Sequence, residues 1–337
     1  MTARRPINRG TPPATATPAL EIGGTHVAGA LIDLDARRVV AGSQVRIHLR
    51  PDGEATEILD SILDCARALP PVASTTWAVA APGPMDYRRG IGRYEGVAKF
   101  EALNGVDIRA ALLAGLATSA TEISFVNDAE AFAIGEWAAG AAAGHDRVAG
   151  ITLGTGVGSA FLDRGAVVSD GPLVPPNGRV HLLEIDGRPL EETVSRRAIL
   201  ARYEALRTAD APGSADGHHA TDVRELADLA RGGDADAAAA IDDALEALGL
   251  ALGPWLARFG ATVFVVGGSM AGSWDLVEPP LVRGLASGTP GPMGSVAVMA
   301  AAHPGEAGLV GAALHARAAL QAGLTETEPA SSEPASP

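Results

Sequence analysis

The apolar positions of the chain fall into short strand-like runs that end on glycine turns, separated by stretches of helical period. Residues 19–22 and 27–34 are two such runs joined by Gly23-Gly24-Thr25, and a further strand over 44–49 completes a β-meander. In residues 54–69 the apolar Ile58, Leu59, Ile62, Leu63 and Ala66 share one helical face, and Pro70-Pro71 ends the helix. A strand over 77–80 runs into Ala81-Pro82-Gly83-Pro84, a rigid turn at a strand end. Asp107 caps a helix to about residue 117, and a buried strand over 122–126 delivers Asn127-Asp128 to the head of a helix over 128–142. A strand over 148–153, the turn Gly154-Thr155-Gly156 and a strand over 159–162 then repeat the strand–turn–strand pattern of residues 19–34. Helices are expected over 189–206 and 234–259, the second interrupted near Gly253-Pro254, with a mobile polar linker over 208–220. A fully apolar strand over 262–266 ends in Gly267-Gly268, followed by a strand over 296–300 and a closing helix over 306–321.

The repeated hairpin decides the fold class. A Rossmann or P-loop turn must open a helix so that the helix dipole points at phosphate, whereas Gly23-Gly24-Thr25 and Gly154-Thr155-Gly156 each join two strands. Duplicated hairpins that grip a nucleotide from two sides match a two-lobed α/β fold of the actin-like ATPase (ribonuclease H-like, hexokinase) type. The expected organisation is a disordered leader 1–18, a small lobe 19–127 closed by a C-terminal helix 304–322, a large lobe 128–303, and a disordered tail 323–337.

Composition narrows the partners. The 337 residues are 47% hydrophobic and only 4% aromatic, enough for a sizeable aliphatic core in two lobes. A net charge of −14 with no Lys/Arg cluster argues against nucleic acid as a partner, and suits a cytoplasmic protein. The leader carries Arg4, Arg5 and Arg9 but no apolar core, and the most apolar stretch, 244–266, is broken by Glu246, Pro254 and Arg258, so neither signal peptide nor membrane span is expected. The single cysteine, Cys65, excludes an internal disulfide framework and a Cys-rich zinc site.

One carboxylate among three glycine turns suggests a phosphotransferase with a single general base, Asp128. Two plainer readings stand beside it: Asn127-Asp128 as a helix cap, and Gly23-Gly24-Thr25 as an ordinary hairpin turn.

Four motifs, Glu21-Ile22-Gly23-Gly24-Thr25, Val126-Asn127-Asp128-Ala129, Thr152 to Gly158 and Val265-Val266-Gly267-Gly268, fall in the order and spacing of the ROK (repressor, open reading frame, kinase) family, which residues 19–320 resemble. The resemblance implies ATP-dependent phosphorylation of a hexose, usually at its 6-hydroxyl, with Mg²⁺. It implies Asp128 as general base, Asn127 as a sugar ligand, and Gly83, His181 and Glu191 at the sugar. ATP would lie on Gly23, Gly24, Thr25 and His26, on Gly154, Thr155 and Gly156, and on Gly267 and Gly268. The family's habit implies a homodimer or homotetramer.

The departures are specific. Where the family's first phosphate motif opens with Asp and closes with Lys, this chain has Glu21 and His26; Glu21 keeps the charge for a water-mediated Mg²⁺ contact. The family's Cys-x-Cys-Gly-x-x-Gly-Cys zinc loop is missing after Gly178-Arg179-Val180-His181, so no structural zinc is expected. The first of two sugar-reading glutamates falls on Gly178, with Glu184 near enough to replace it. Lys99 stands where many relatives place an Asn that reads the mid-ring hydroxyls, and lysine only donates. Glucose is therefore not the sole candidate: an aminohexose of the kanosamine or N-acetylmannosamine type is an alternative, as is a non-catalytic sugar-sensing protein or a kinase of acetate or a polyol. Leu183-Glu184-Ile185-Asp186-Gly187 resembles a sequence of polyphosphate-using relatives, which leaves the donor open.

Overall fold

A computed structural model describes residues 13–97, 99–185, 187–210, 220, 222–288 and 296–323. The chain begins with β1 (Ala16–Ile22) and β2 (His26–Asp33), an antiparallel hairpin, followed by β3 (Arg38–Val39), β4 (Val45–His48), α1 (Ala55–Arg67) and β5 (Thr76–Ala81). A small ribbon, β6 (Met85–Asp86) with β7 (Ile91–Gly92), leads to α2 (Ile108–Leu116) and β8 (Glu122–Asn127). These strands form a sheet of order β3-β2-β1-β5-β8, with β4 also on β2 and with β5 and β8 parallel to β1.

After α3 (Asp128–Ala139) a second sheet repeats the first. β9 (Arg147–Leu153) and β10 (Val157–Asp163) make the hairpin, with β11 (Ala166–Val167) beyond it. The small ribbon β12 (Glu184–Ile185) and β13 (Arg188–Pro189) precedes α4 (Glu191–Val194), α5 (Arg196–Asp210), α6 (Val223–Arg231) and α7 (Ala235–Phe259). Then come β14 (Val263–Gly267), α8 (Trp274–Gly288), β15 (Ala297–Ala300) and α9 (Ala307–Gln321). The order β11-β10-β9-β14-β15, with β14 and β15 parallel to β9, matches the first sheet except for β4. The echo expected from two hairpins thus extends to both sheets.

Two helices join the halves. α9 packs on β1, β5 and β8 through Leu309, Val310, Ala313 and Ala316, while α3 packs on the second sheet through Phe132, Ala133 and Ile134. α3 and α9 cross through glycines: a methyl on Gly311 would run into the Ala131 carbonyl oxygen, backbone that cannot step aside.

Several elements differ from expectation. Strand β1 takes in Ala16, Thr17 and Pro18, all buried, so the leader is shorter than residue 18. The ladder to β5 begins at Ala19, which leaves Pro18 with a strand on one side only, where a missing N–H is tolerated. α7 runs unbroken through Pro254; the carbonyl deprived of its donor belongs to Leu250, against which the backbone of α8 packs closely at Gly288. α8 was hidden by Pro279-Pro280, and α6 by the polar stretch around it. The helix expected over 189–206 is divided at Ser195, which is extended and buried. The linker expected over 208–220 overlaps α5, which reaches Asp210; residues 211–219, like 1–12 and 324–337 of the leader and tail, lie outside the described residues.

Candidate active site

Strand β8 ends at Asn127, and its side chain starts α3: Oδ1 accepts from the N–H of Ala129 at 3.1 Å and of Glu130 at 3.3 Å. The cap is therefore Asn127, which frees Asp128 from that duty. Asp128 is the first helical residue, and its Oδ1 accepts from the N–H of Ala129 at 2.9 Å. Burial pushes the Asp128 carboxyl up to about 6, against the backbone bonds, Asn127 and Arg179, which favour the ionised form. A carboxylate held near neutrality at a strand end is suited to take a proton from an alcohol.

On one side of Asp128 lies a polar group built from β5, its following turn and the Gly178 loop. Nδ2 of Asn127 donates to Tyr87 Oη at 2.9 Å, and Tyr87 Oη donates to the Ala81 carbonyl at 3.2 Å. A methyl on Gly83 would lie 3.1 Å from Tyr87 Oη, 3.7 Å from Asn127 Nδ2 and 3.9 Å from an Arg179 guanidinium nitrogen, so these groups converge on that glycine. Arg179 is aimed by Ser159, whose hydroxyl donates to the Gly178 carbonyl and accepts from the Val180 N–H, both at 2.9 Å.

The glycine turns meet at Lys99, which stands in the field of Glu191 and Asp128. The first turn closes with Gly23 N–H on the His26 carbonyl at 2.8 Å. A methyl on Gly24 would lie 3.2 Å from Lys99 Nζ and 3.9 Å from Thr155 Oγ1, so the first and second turns face each other across Lys99. Val157, just after the second turn, donates its N–H to Glu191 Oε1 at 3.3 Å, and its backbone also hydrogen-bonds the His181 ring. Burial, and then Arg179, lower the His181 pKa, with Glu191 acting against them. The third turn abuts the second: a methyl on Gly268 would meet the Leu153 carbonyl, and one on Gly154 would lie 3.7 Å from Ser269 Oγ.

Glu21 lies at the end of β1 behind the first turn, with its carboxylate against Gly308 of α9. Burial, then the charge of Asp128, raise it to about 7, and Arg46 of β4 opposes the shift. His26, expected at the phosphates, is held toward its neutral form by burial and Arg46.

The structure thus brings together Asp128, Asn127, Gly83, Lys99, His181, Glu191 and the three turns. Glu184 is exposed on β12, paired in register with Pro189 of β13 just ahead of Glu191. His145 lies at the far end of β9 from the glycine turn, bonded to Thr262 Oγ1. Sequence reasoning missed Tyr87, Arg179 and Ser269. The signal for Arg179 was present beside His181, but nothing in the one-dimensional pattern told which of the two would turn toward Asp128.

Comparison with known families decides the kinship: the ROK family matches residues 17–175 and 185–319. The chain belongs to the ROK family. The glucokinase of Thermotoga maritima is 27% identical over 248 residues, 70% of this chain and 77% of that protein. A ROK family glucokinase from Streptomyces griseus, solved with glucose and AMPPNP, superposes with a TM-score of 0.72 at 24% identity, covering 90% of this chain and 99% of that one. A ROK family transcriptional regulator, a homologue of the E. coli MLC protein, superposes with a TM-score of 0.73 at 19% identity, over 92% of this chain and 79% of that one. The fold is the actin-like ATPase fold of ROK kinases, and this ROK protein is related to sugar kinases. No described helix is long and apolar enough to cross a membrane.

Proposed function

We propose that this ROK protein is an ATP-dependent sugar kinase that phosphorylates the 6-hydroxyl of a hexose, glucose or a related sugar, with Asp128 as general base. The observation that carries the reading is Asp128, a carboxyl raised to about 6, in the field both of Arg179, which converges with Asn127 and Tyr87 on Gly83, and of Lys99, which lies at Gly24 facing Thr155. The sugar binds at Asn127, His181 and Glu191; the phosphates of ATP bind on Gly23, Gly24, Thr25, Gly154, Thr155, Gly156, Gly267 and Gly268. The hydroxyl oxygen attacks the γ-phosphorus as its proton passes to Asp128, the bond to the bridging oxygen breaks, and ADP leaves. Glycine turns suit this work because they present N–H groups without side chains in the way.

Two carboxylates in one another's field, Glu21 and Asp128, fit a hydrated dication that would relieve their repulsion. Mg²⁺ when bound supplies charge neutralisation of the phosphates, and Glu21 would hold it through water. The lobes are read as residues 19–127 with the C-terminal helix, and residues 128–303. The protein is read as cytoplasmic and as a homodimer or homotetramer.

A coupled assay of ADP release with glucose, mannose, N-acetylmannosamine and kanosamine as acceptors tests the reading and assigns the sugar, with polyphosphate as a second donor. Release with glucose or mannose supports the hexose kinase; release with an amino sugar alone moves the assignment to an aminohexose kinase. Sugar binding without ADP release from any acceptor would identify a non-catalytic sensor and sink the kinase.

A further inference from the structure

The turn at Gly23-Gly24-Thr25 has no cation of its own at its tip. The His26 ring folds over the turn, within 3.2 Å of where a methyl on Gly23 would lie, and Arg46 stands on β4 opposite Ala28. Lys99 reaches the tip from elsewhere in the chain. Its Nζ is 3.2 Å from the methyl position of Gly24, and Thr155 Oγ1 of the second sheet is 3.9 Å from that same point. Among the described residues Lys99 has no hydrogen bond or ion pair; it stands in the field of Glu191 and Asp128 on one hand and Arg196 on the other. The backbone beside it is held in place at some conformational cost. Phe100 has φ +59, a left-handed conformation unusual for a bulky residue. It is buried, stacks at a tilt on Tyr94 at 5.6 Å, and donates its N–H to the Pro51 carbonyl at 2.7 Å. Such anchoring keeps a lysine stem directed at one place.

Resting on the kinase reading, we propose that Lys99 is a catalytic residue that binds the transferred phosphoryl group, its ammonium donating to non-bridging γ-oxygens between the two turns. This differs from the sugar-reading role expected of the position from sequence. Lys99 keeps its proton throughout: the oxygen–phosphorus bond forms at the sugar and breaks at the bridging oxygen, while the ammonium stabilises charge on the equatorial oxygens.

Titration calorimetry of wild type, Lys99→Met and Lys99→Arg with Mg-AMPPNP and with Mg-ADP tests this. The methionine variant is expected to bind AMPPNP roughly 10–100-fold more weakly, the loss of a charge-assisted hydrogen bond, while ADP affinity changes by less than about threefold. The arginine variant restores most of the difference. In turnover with the accepted sugar, kcat falls and the acceptor KM stays within about threefold. Lys99→Gln, which keeps a polar stem without the charge, carries the same test if the methionine variant fails to fold. Unchanged AMPPNP affinity, or a loss confined to the acceptor KM, would overturn the assignment and return Lys99 to the sugar. Wild type that binds no AMPPNP overturns the kinase reading itself, an outcome visible before any variant is made.

Discussion

Asn127 and Tyr87 hold each other in place: Nδ2 of the amide donates to the phenol oxygen at 2.9 Å. The amide cannot turn, because its Oδ1 is committed to two N–H groups at the head of α3. Tyr87 in turn is anchored on the Ala81 carbonyl. The same amide also hydrogen-bonds the Asp128 carboxylate, so its orientation bears on the Gly83 surface and on Asp128 together. Tyr87→Phe should therefore leave the fold intact and raise the acceptor KM several-fold with kcat little changed, since a neutral hydrogen bond contributes about 0.5–1.5 kcal/mol. Steady-state kinetics in the acceptor checks this; an unaltered KM would mean that Asn127 is a helix cap alone.

The separation of cap from base gives Asp128 its own test. With Asn127 capping α3, Asp128→Asn should cost little stability and reduce kcat by ~10²–10⁴, with nucleotide and sugar still bound. The base works ionised, so activity should fall as pH drops through about 6. Arg179 favours the ionised carboxylate, so Arg179→Met should move this acidic limb to higher pH. A kcat–pH profile for wild type and both variants reads each point, and an unmoved limb would remove Arg179 from the account.

Glu21 makes stability depend on pH in the opposite sense from most carboxylates. Its folded value of about 7 lies above the ordinary 4.5, so the folded protein holds the proton more tightly than the unfolded chain. The resulting stability is fully present below about pH 4.5 and is lost as pH rises through about 7. Glu21→Gln, neutral at every pH, should gain on wild type across that window. Thermal midpoints of the two proteins at pH 5 and pH 8, without divalent metal, compare them; a constant difference would show that Glu21 is ionised throughout.

Much of this was legible in one dimension because the signals are local. Two-residue periodicity ending on glycine marks β1–β2 and β9–β10, and an apolar run ending in Asn-Asp marks the β8–α3 junction. What was hidden depends on distant partners. Pro279-Pro280 reads as a breaker, yet α8 forms because Gly284 and Gly288 let it press on the backbone of α7 at Glu246 and Leu250. Lys99 reads as a sugar contact by its place after the Pro-Gly turn, and only the fold shows its Nζ beside Gly24. Likewise the short β12–β13 hairpin that holds Glu184 has no one-dimensional signal.

Coupling between the two ligands follows from how the chain passes between the sheets. It crosses at Asn127-Asp128, where β8 becomes α3, and again between β15 and α9. The crossings are tied together by Glu136 of α3, a buried carboxylate that accepts from the N–H groups of Ala302 at 3.1 Å and His303 at 3.3 Å, as well as from Ala141 at 2.7 Å. The first glycine turn belongs to one sheet and the second and third to the other, so a nucleotide that touches all three senses the angle between them. A sugar at Asn127, Asp128 and Glu191 touches the crossing itself and biases that same angle. Sugar should then tighten nucleotide binding, and nucleotide should tighten sugar binding by an equal factor, within the ~5–150-fold range of such couplings. Closure would also keep water from the γ-phosphate. Calorimetric titration of AMPPNP with and without the accepted sugar, and of the sugar with and without AMPPNP, measures both arms of the cycle. Equal nucleotide affinities in the two titrations would mean that the cleft is preformed and that Glu136 joins two rigid halves.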